Sequence, residues 1–230
     1  MSLKKVSYAK YYATVLYGNW TKKKESYAQH GEDILVHSLL GRVESFVDIG
    51  ANDGVLFSNT FKFAKMGARG LCVEPSRRTM PKLYLNHLFH LKVRCIHGAV
   101  SSRSGHLFLK EGGYESTLSQ VHSEPSKDST KVRAYTLDEL FRKHPRFRKI
   151  DLLSIDVEGH EESVLQGIDK PIQAKVIILE TDKSDIESLR KLPALHDHLP
   201  TYTNGINLIL TPKGHELPQL KEIPSEFSLC

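Results

Sequence analysis

Two short segments, Phe46-Val-Asp-Ile-Gly-Ala-Asn-Asp-Gly54 and Ile150-Asp-Leu-Leu-Ser-Ile-Asp-Val-Glu-Gly-His-Glu161, constrain this chain more than anything else in it. Each is an apolar run that breaks off in acids and glycine. A parallel strand buried on both faces reads this way where its C-terminal end opens into a ligand crevice. A third run, Gly70-Leu-Cys-Val-Glu-Pro75, ends similarly. Three such ends predict one site assembled from several strands of a single sheet.

The residues between these runs read as crossovers. Strands are predicted over 45–49, 70–74 and 93–97, with helices over 58–66, where Ser58 is a candidate cap, and over 77–89, with Pro81 in the first turns. That βαβαβ order implies a parallel sheet with right-handed connections. Residues 101–134 break the rhythm. His106–Lys110 reads as a short edge strand, and 112–118 and 122–130 read as polar loop, a candidate substrate loop. Thr136 opens a helix with a capping-box spacing to Glu139. A strand over 151–155, a helix over 160–168, a strand over 175–180 and a helix over 185–192 follow. Strands 201–203 and 205–210 then meet through Asn204-Gly205, a hairpin signal. The tail from 212 carries three prolines and reads as irregular.

Ahead of the sheet, Tyr8, Tyr11, Tyr12, Tyr17 and Trp20 recur at roughly helical spacing. They fit a helix packed on the main domain, or a lid or subunit contact, which would allow a homodimer. Residues 27–41 read as a loop and then a helix with Ile34, Leu35, Leu39 and Leu40 on one face.

With 230 residues, 40% hydrophobic and 26% charged, the chain suits one α/β domain with additions. Its net charge of +5 is diffuse, with Lys22-Lys-Lys24 the one tight basic run, which argues against nucleic acid as a partner. Cys72, Cys95 and Cys230 make an odd count without disulfide spacing, so a reducing compartment is expected. No apolar run reaches membrane-span length and the first residues lack a signal-peptide core, so the expected location is cytoplasmic.

At the first strand end, Asp48 precedes Gly50 and Gly54, with Asn52-Asp53 between the glycines. This is not the Gly-x-Gly-x-x-Gly turn that seats a diphosphate. Acids here suit a ligand bearing an amino group or a sulfonium. Glu74, ending the second strand, is placed to accept the two hydroxyls of a ribose. Gly98-Ala-Val100 is small and apolar and suits the face of an adenine ring. Asp156, Glu158 and His160 crowd within five residues, where neighbouring charges can poise a base near neutrality. Asp156 and Glu158 are also oxygen donors of the kind magnesium takes, but a third carboxylate is not evident and no metal is assigned. Glu161 and Glu162 read as acids complementing a helix N-terminus. His30, in the polar loop ahead of the sheet, is a further candidate base.

These residues resemble the FkbM family of S-adenosylmethionine-dependent methyltransferases. The matching stretches are Tyr27-Ala-Gln-His-Gly-Glu-Asp33, residues 46–54, Cys72-Val-Glu-Pro75, Thr136-Leu-Asp138 and residues 150–161. The resemblance covers roughly residues 27–180. It implies the Rossmann-like class I methyltransferase fold: a seven-stranded, mostly parallel sheet with an antiparallel last strand and helices on both faces. In that reading 1–44 is an N-terminal helical or lid segment, 45–211 the methyltransferase domain and 212–230 the tail. By the family pattern Asp48, Gly50, Asn52 and Gly54 surround the methionine part of S-adenosylmethionine and Glu74 holds its ribose. Ser76, Ala99 and Val100 lie near the adenine. Asp156, Glu158 and His160 face methyl transfer, with Asp156 also near the cofactor. The Gln29-His30 loop and Glu115-Ser-Thr117 close over the site.

The resemblance implies O-methylation of a hydroxyl on a sugar, glycan or natural-product acceptor, as in polysaccharide biosynthesis, with S-adenosyl-L-homocysteine as co-product. A weakly nucleophilic hydroxyl needs a base, for which Asp156 or His160 comes first and His30 next. Three alternatives stand beside it. An oxidoreductase needs the missing diphosphate loop. A nucleic-acid methyltransferase lacks both a basic stripe and the Asn/Asp-Pro-Pro-aromatic signature. A non-catalytic module that keeps the fold is opposed by the intact Asp48, Gly50, Glu74 and Asp156.

Overall fold

The computed structural model describes residues 21, 24–110, 120–125, 129–182, 185–214, 220 and 223–230. The tyrosine-rich segment up to Trp20 and the Glu115–Thr117 stretch lie outside them. Along the chain, β1 (Ser45–Ile49), β2 (Arg69–Glu74) and β3 (Val93–His97) are followed by β4 (Ala99–Val100), β5 (Gly105–Lys110), β6 (Gln120–His122) and β7 (Ser129–Tyr135). Then come β8 (Lys149–Ile155), β9 (Gln173–Glu180), β10 (His198–Thr203), β11 (Asn207–Pro212) and β12 (Ser228–Leu229). Among the described residues the α-helices are α1 (Glu32–Leu40), α2 (Phe61–Lys65), α3 (Met80–Asn86), α4 (Leu137–Lys143), α5 (Glu161–Leu165) and α6 (Ile186–Arg190).

The main sheet runs β12-β10-β11-β9-β8-β1-β2-β3. From β3 to β9 all pairs are parallel, while β11 is antiparallel to both β9 and β10. The chain builds outward from β1 in one direction, then restarts at β8 and builds the other way. That reversal leaves a crevice between the C-terminal ends of β1 and β8, where ligands of open α/β sheets bind.

The two faces alternate residue by residue, as the pleat requires. Val47, Ile49, Leu71, Leu153, Ile155, Ile177 and Leu179 point to one face, covered by Leu137 and Leu140 of α4, Val164 and Leu165 of α5 and Leu189 of α6. Phe46, Cys72, Leu152, Val176 and Ile178 point to the other, under Leu35, Val36 and Leu39 of α1, Phe63 of α2 and Leu83 of α3. α1 is therefore turned slightly from the expected face: Val36 is buried, and Ile34 and Leu40 are only partly so.

Three expectations are corrected. Among the described residues the main sheet has eight strands, not seven, because β12, in the tail expected to be irregular, pairs with Tyr202 and Thr203 of β10. Phe227, just before it, is buried against the core and anchors it. Residues 129–135, of which 129–130 read as loop and the rest are assigned no element from the sequence, form β7, an inner strand of a second sheet ordered β4-β7-β5-β6. The helix cap expected from Ser58 works from farther back: its Oγ accepts the Thr60 and Phe61 amides at 3.3 and 3.1 Å, and α2 starts at Phe61. The Thr136 cap is present, its Oγ1 accepting the Glu139 amide at 3.0 Å. Among the described residues, no helix is long and apolar enough to cross a membrane.

Candidate active site

A cleft of about 360 Å³ opens at the strand reversal. Its floor is Asp48, Ile49 and Gly50 from the end of β1, Val73 and Glu74 from β2, and Ser154 and Asp156 from β8. Among the described residues three non-glycines adopt positive φ: Asn52 at 49°, Phe57 at 56° and Glu158 at 56°. All three line this cleft. Left-handed backbone is costly outside glycine and collects where a site demands it.

Gly50 explains how the floor closes. Its φ is +88°, and a Cβ there would sit 1.7 Å from the Asp156 carbonyl oxygen. The Asp156 amide donates to Ile49 O at 3.0 Å, so the β1 and β8 ends are tied at the point of closest approach. Glu74 organises the neighbouring turn. One carboxylate oxygen accepts the Asn52 amide at 2.9 Å, and the other accepts the Ser76 amide at 2.8 Å and Thr79 Oγ1 at 3.0 Å. Burial raises its pKa despite these bonds.

Of the candidate residues, Gln29, Asp48, Gly50, Asn52, Glu74, Ala99, Val100, Asp156, Glu158 and His160 all line the cleft. Three do not. Gly54 turns the far side of the loop, where a Cβ would strike Leu83 and His87 of α3. Ser76 is buried behind Glu74, its Oγ accepting the Arg78 and Thr79 amides. His30 points away, its Nδ1 3.5 Å from Glu226 Oε2. What holds the preceding loop is acidic. Glu32 accepts the His30 amide and the side-chain amides of Asn204 and Asn207, and Asp33 accepts the Tyr27 amide. Ala28 bridges Phe57, which carries Gln29 to the cleft edge.

Electrostatically the cleft is a cluster of acids. Burial pushes Asp48 up to about 6 even though Thr60 Oγ1 donates to it at 2.6 Å. Burial and the neighbouring Glu158 charge push Asp156 up to about 7. Glu180, at the end of β9, is pushed up to about 9 by burial, then by Asp156 and Asp182. His160 is lowered, because burial outweighs the nearby Glu161; its Nε2 lies 3.0 Å from Ser101 Oγ. Among the described residues no group of three His, Cys, Asp or Glu side chains is arranged to hold a metal ion.

Sequence reasoning missed Glu180, Asp182, Ser154, Asn59, Phe57 and Ile206, all of which line the cleft. Glu180 had a signal: Val176-Ile-Ile-Leu-Glu180 is another apolar run ending in an acid. Glu161 also does more than face a helix dipole. It is buried, and its Oε1 accepts the Val157 and Gly159 amides at 3.2 and 3.0 Å, holding the Asp156–His160 turn in shape.

Comparison with known proteins bears on this arrangement. Residues 48–204 match the model of the methyltransferase FkbM domain, farther toward the C-terminus than the motif resemblance reaches. No curated protein matches the chain by sequence. Similar solved structures include the methyltransferase FkbM from Methylobacillus flagellatus KT, with TM-score 0.47 and 14% identity over 73% of this chain and 43% of that one. This chain thus spans less than half the length of that protein. Others are a putative O-methyltransferase from Klebsiella pneumoniae (TM-score 0.45, 12% identity, 87% and 88% covered) and the Bacillus cereus O-methyltransferase in complex with SAH (0.43, 12%, 89% and 90%). With the family model spanning more than half of its residues, the chain belongs to the FkbM methyltransferase domain family.

Proposed function

We propose that this chain is an S-adenosylmethionine-dependent methyltransferase that acts on oxygen, methylating a hydroxyl of a sugar, glycan or natural-product acceptor. The observation that carries the reading is the pairing, in one cleft, of a cofactor-sized floor with the candidate proton acceptors Asp156 and His160 beside it. The fit of the cofactor rests on chemistry present in the cleft. Glu74 uses three acceptor positions on its neighbours, leaving carboxylate capacity for a ribose hydroxyl. Val73, Pro75, Gly98, Ala99 and Val100 supply an apolar wall for the base, and Asp48 an acid for the amino-acid end. S-adenosylmethionine held there would supply an electrophilic sulfonium methyl group for transfer to the acceptor oxygen.

The chain's own contribution is position and proton removal. Asp156 lies on the floor with a pKa near neutrality, where it is half ionised and strong enough to take a proton from a hydroxyl as its oxygen reacts. His160, kept neutral by burial, is the second base candidate. His30 drops out of this role because it faces Glu226.

The test is calorimetric titration with S-adenosylhomocysteine, followed by radiolabelled methyl transfer to a panel of glycosides and polyols. Micromolar binding and an acid-stable, base-stable methyl ether product support the reading. Transfer to amines or carboxylates in place of hydroxyls refutes it.

A further inference from the structure

The β8–β9 register carries a consequence at the cleft. Ile155 stands opposite Leu179 in this parallel pair, so the next residues, Asp156 and Glu180, emerge side by side. Their carboxyl groups are in hydrogen-bonding contact. Both line the cleft. Two carboxylates cannot hydrogen-bond unless one carries a proton. Their surroundings favour keeping it. Among the described residues, Asp48 on β1, Glu158 and Glu161 on the turn and α5, and Asp182 after β9 are the charged groups that face the pair. Among the described residues lining the cleft, none is a lysine or arginine. Glu180 Oε2 is buried without a hydrogen-bond partner in the protein.

We propose that Glu180 is a positioning residue that shares one proton with Asp156, so that the two act as a single monoanionic base for the acceptor hydroxyl. This rests on the O-methylation reading above. Like charges this close titrate in two separated steps, and between those steps the pair holds one proton. Burial, with Glu158 beside Asp156 and Asp156 beside Glu180, holds both carboxyls above their ordinary range, which places the monoanion at neutral pH. When the acceptor O–H bond breaks, its proton goes to the free Asp156 oxygen and its electrons stay on the acceptor oxygen. The pair, now carrying two protons, returns one to solvent before the next turnover. Glu180 thereby fixes the Asp156 carboxyl and, by donating the shared proton to it, holds its basicity below the higher value that burial and Glu158 alone would give.

The experiment is a 13C-carboxyl NMR titration of the full chain from mildly acidic to alkaline pH, with and without S-adenosylhomocysteine. Wild type is compared with Glu180→Gln and, as a reciprocal variant, Asp156→Asn. The expected result is two coupled steps in wild type. In Glu180→Gln the lower step, that of Asp156, moves up as the shared proton is lost, and in Asp156→Asn the upper step, that of Glu180, moves down by about tenfold or more in proton affinity. Steps that stay where they were in both variants overturn the shared proton. S-adenosylhomocysteine binding with no coupling removes the pair and leaves the methyltransferase reading intact. Coupling with no S-adenosylhomocysteine binding removes the reading, and the base role with it.

Discussion

Gly50→Ala tests whether the floor of the cleft is set by backbone closeness, and Gly67→Ala is its matched control. The two glycines share nearly the same backbone, with φ +88° and +89°. An added Cβ at Gly67 meets nothing within 4 Å, whereas at Gly50 it lies 1.7 Å from Asp156 O and 2.9 Å from Asp156 C. Alanine in left-handed backbone costs about 1–2 kcal/mol, which both variants bear. At Gly50 the backbones must also part by more than about 1 Å to reach ordinary contact. That movement strains the Asp156 N–Ile49 O and Gly50 N–Val73 O bonds, both 3.0 Å. Each lost bond is worth about 0.5–1.5 kcal/mol, and forced repacking adds about 1–3 kcal/mol. Gly67→Ala should therefore lose about 1–2 kcal/mol and Gly50→Ala about 3–8 kcal/mol. At roughly 2–4 °C per kcal/mol for a chain of this size, differential scanning calorimetry separates them by about 4–24 °C. S-adenosylhomocysteine affinity should stay within about twofold in Gly67→Ala and fall at least about tenfold in Gly50→Ala. Equal melting temperatures in the two variants would show that the β1 and β8 ends part freely, and the account of a rigid floor would fail.

Other consequences are as direct. Glu74→Ala removes the acceptor for the Asn52 and Ser76 amides and Thr79 Oγ1, so urea unfolding should show a loss of about 2–4 kcal/mol; a change below about 1 kcal/mol would mean water replaces the carboxylate. Stability should decline as pH rises from the acid range through neutrality. Asp48 and Asp156 have folded pKa values of about 6 and 7, above their unfolded value, so over that interval the folded state binds more protons and each unit of pH weakens it. Asp156→Asn should flatten part of that slope and add about 1–3 kcal/mol at mildly alkaline pH while abolishing turnover; unchanged stability there would contradict the burial argument. Below the ordinary aspartate range the trend reverses. Burial alone would raise Asp151, but Lys175 at 2.8 Å and the Glu44 and Ser45 amides together lower it, so its contribution is lost as pH falls through its folded value. Asp151→Asn should remove that acid limb in a melting-temperature profile. His160→Gln should lower turnover less than about tenfold if Asp156 is the base; a larger loss reverses their roles.

What was legible in the chain follows from what is physically exceptional in it. An acid at the end of a strand buried on both faces needs a reason, and Asp48, Glu74 and Asp156 stood out for that reason. The Asn204-Gly205 hairpin was equally readable, because Asn204 Oδ1 takes the Ile206 and Asn207 amides in a strictly local turn. β7 was not. Ser129-Thr-Lys-Val-Arg-Ala-Tyr135 buries only Val132 and Ala134, and its lysine and arginine face solvent, so its alternation is too weak to separate from loop. β12 is two residues long and is held by the buried Phe227 and by pairing with a hairpin about 25 residues earlier. The same distinction divides the site. His30, Gly54 and Ser76 sit in the right motifs, yet motif membership does not say which way a side chain turns. His30 turns to Glu226, while its neighbour Gln29 reaches the cleft because Glu32 clasps Asn204 and Asn207, 172 and 175 residues away. No local signal spans that distance. The floor of this cleft is therefore written in strand ends and readable one at a time, whereas its rim exists only once the hairpin and the loop ahead of α1 have docked on each other.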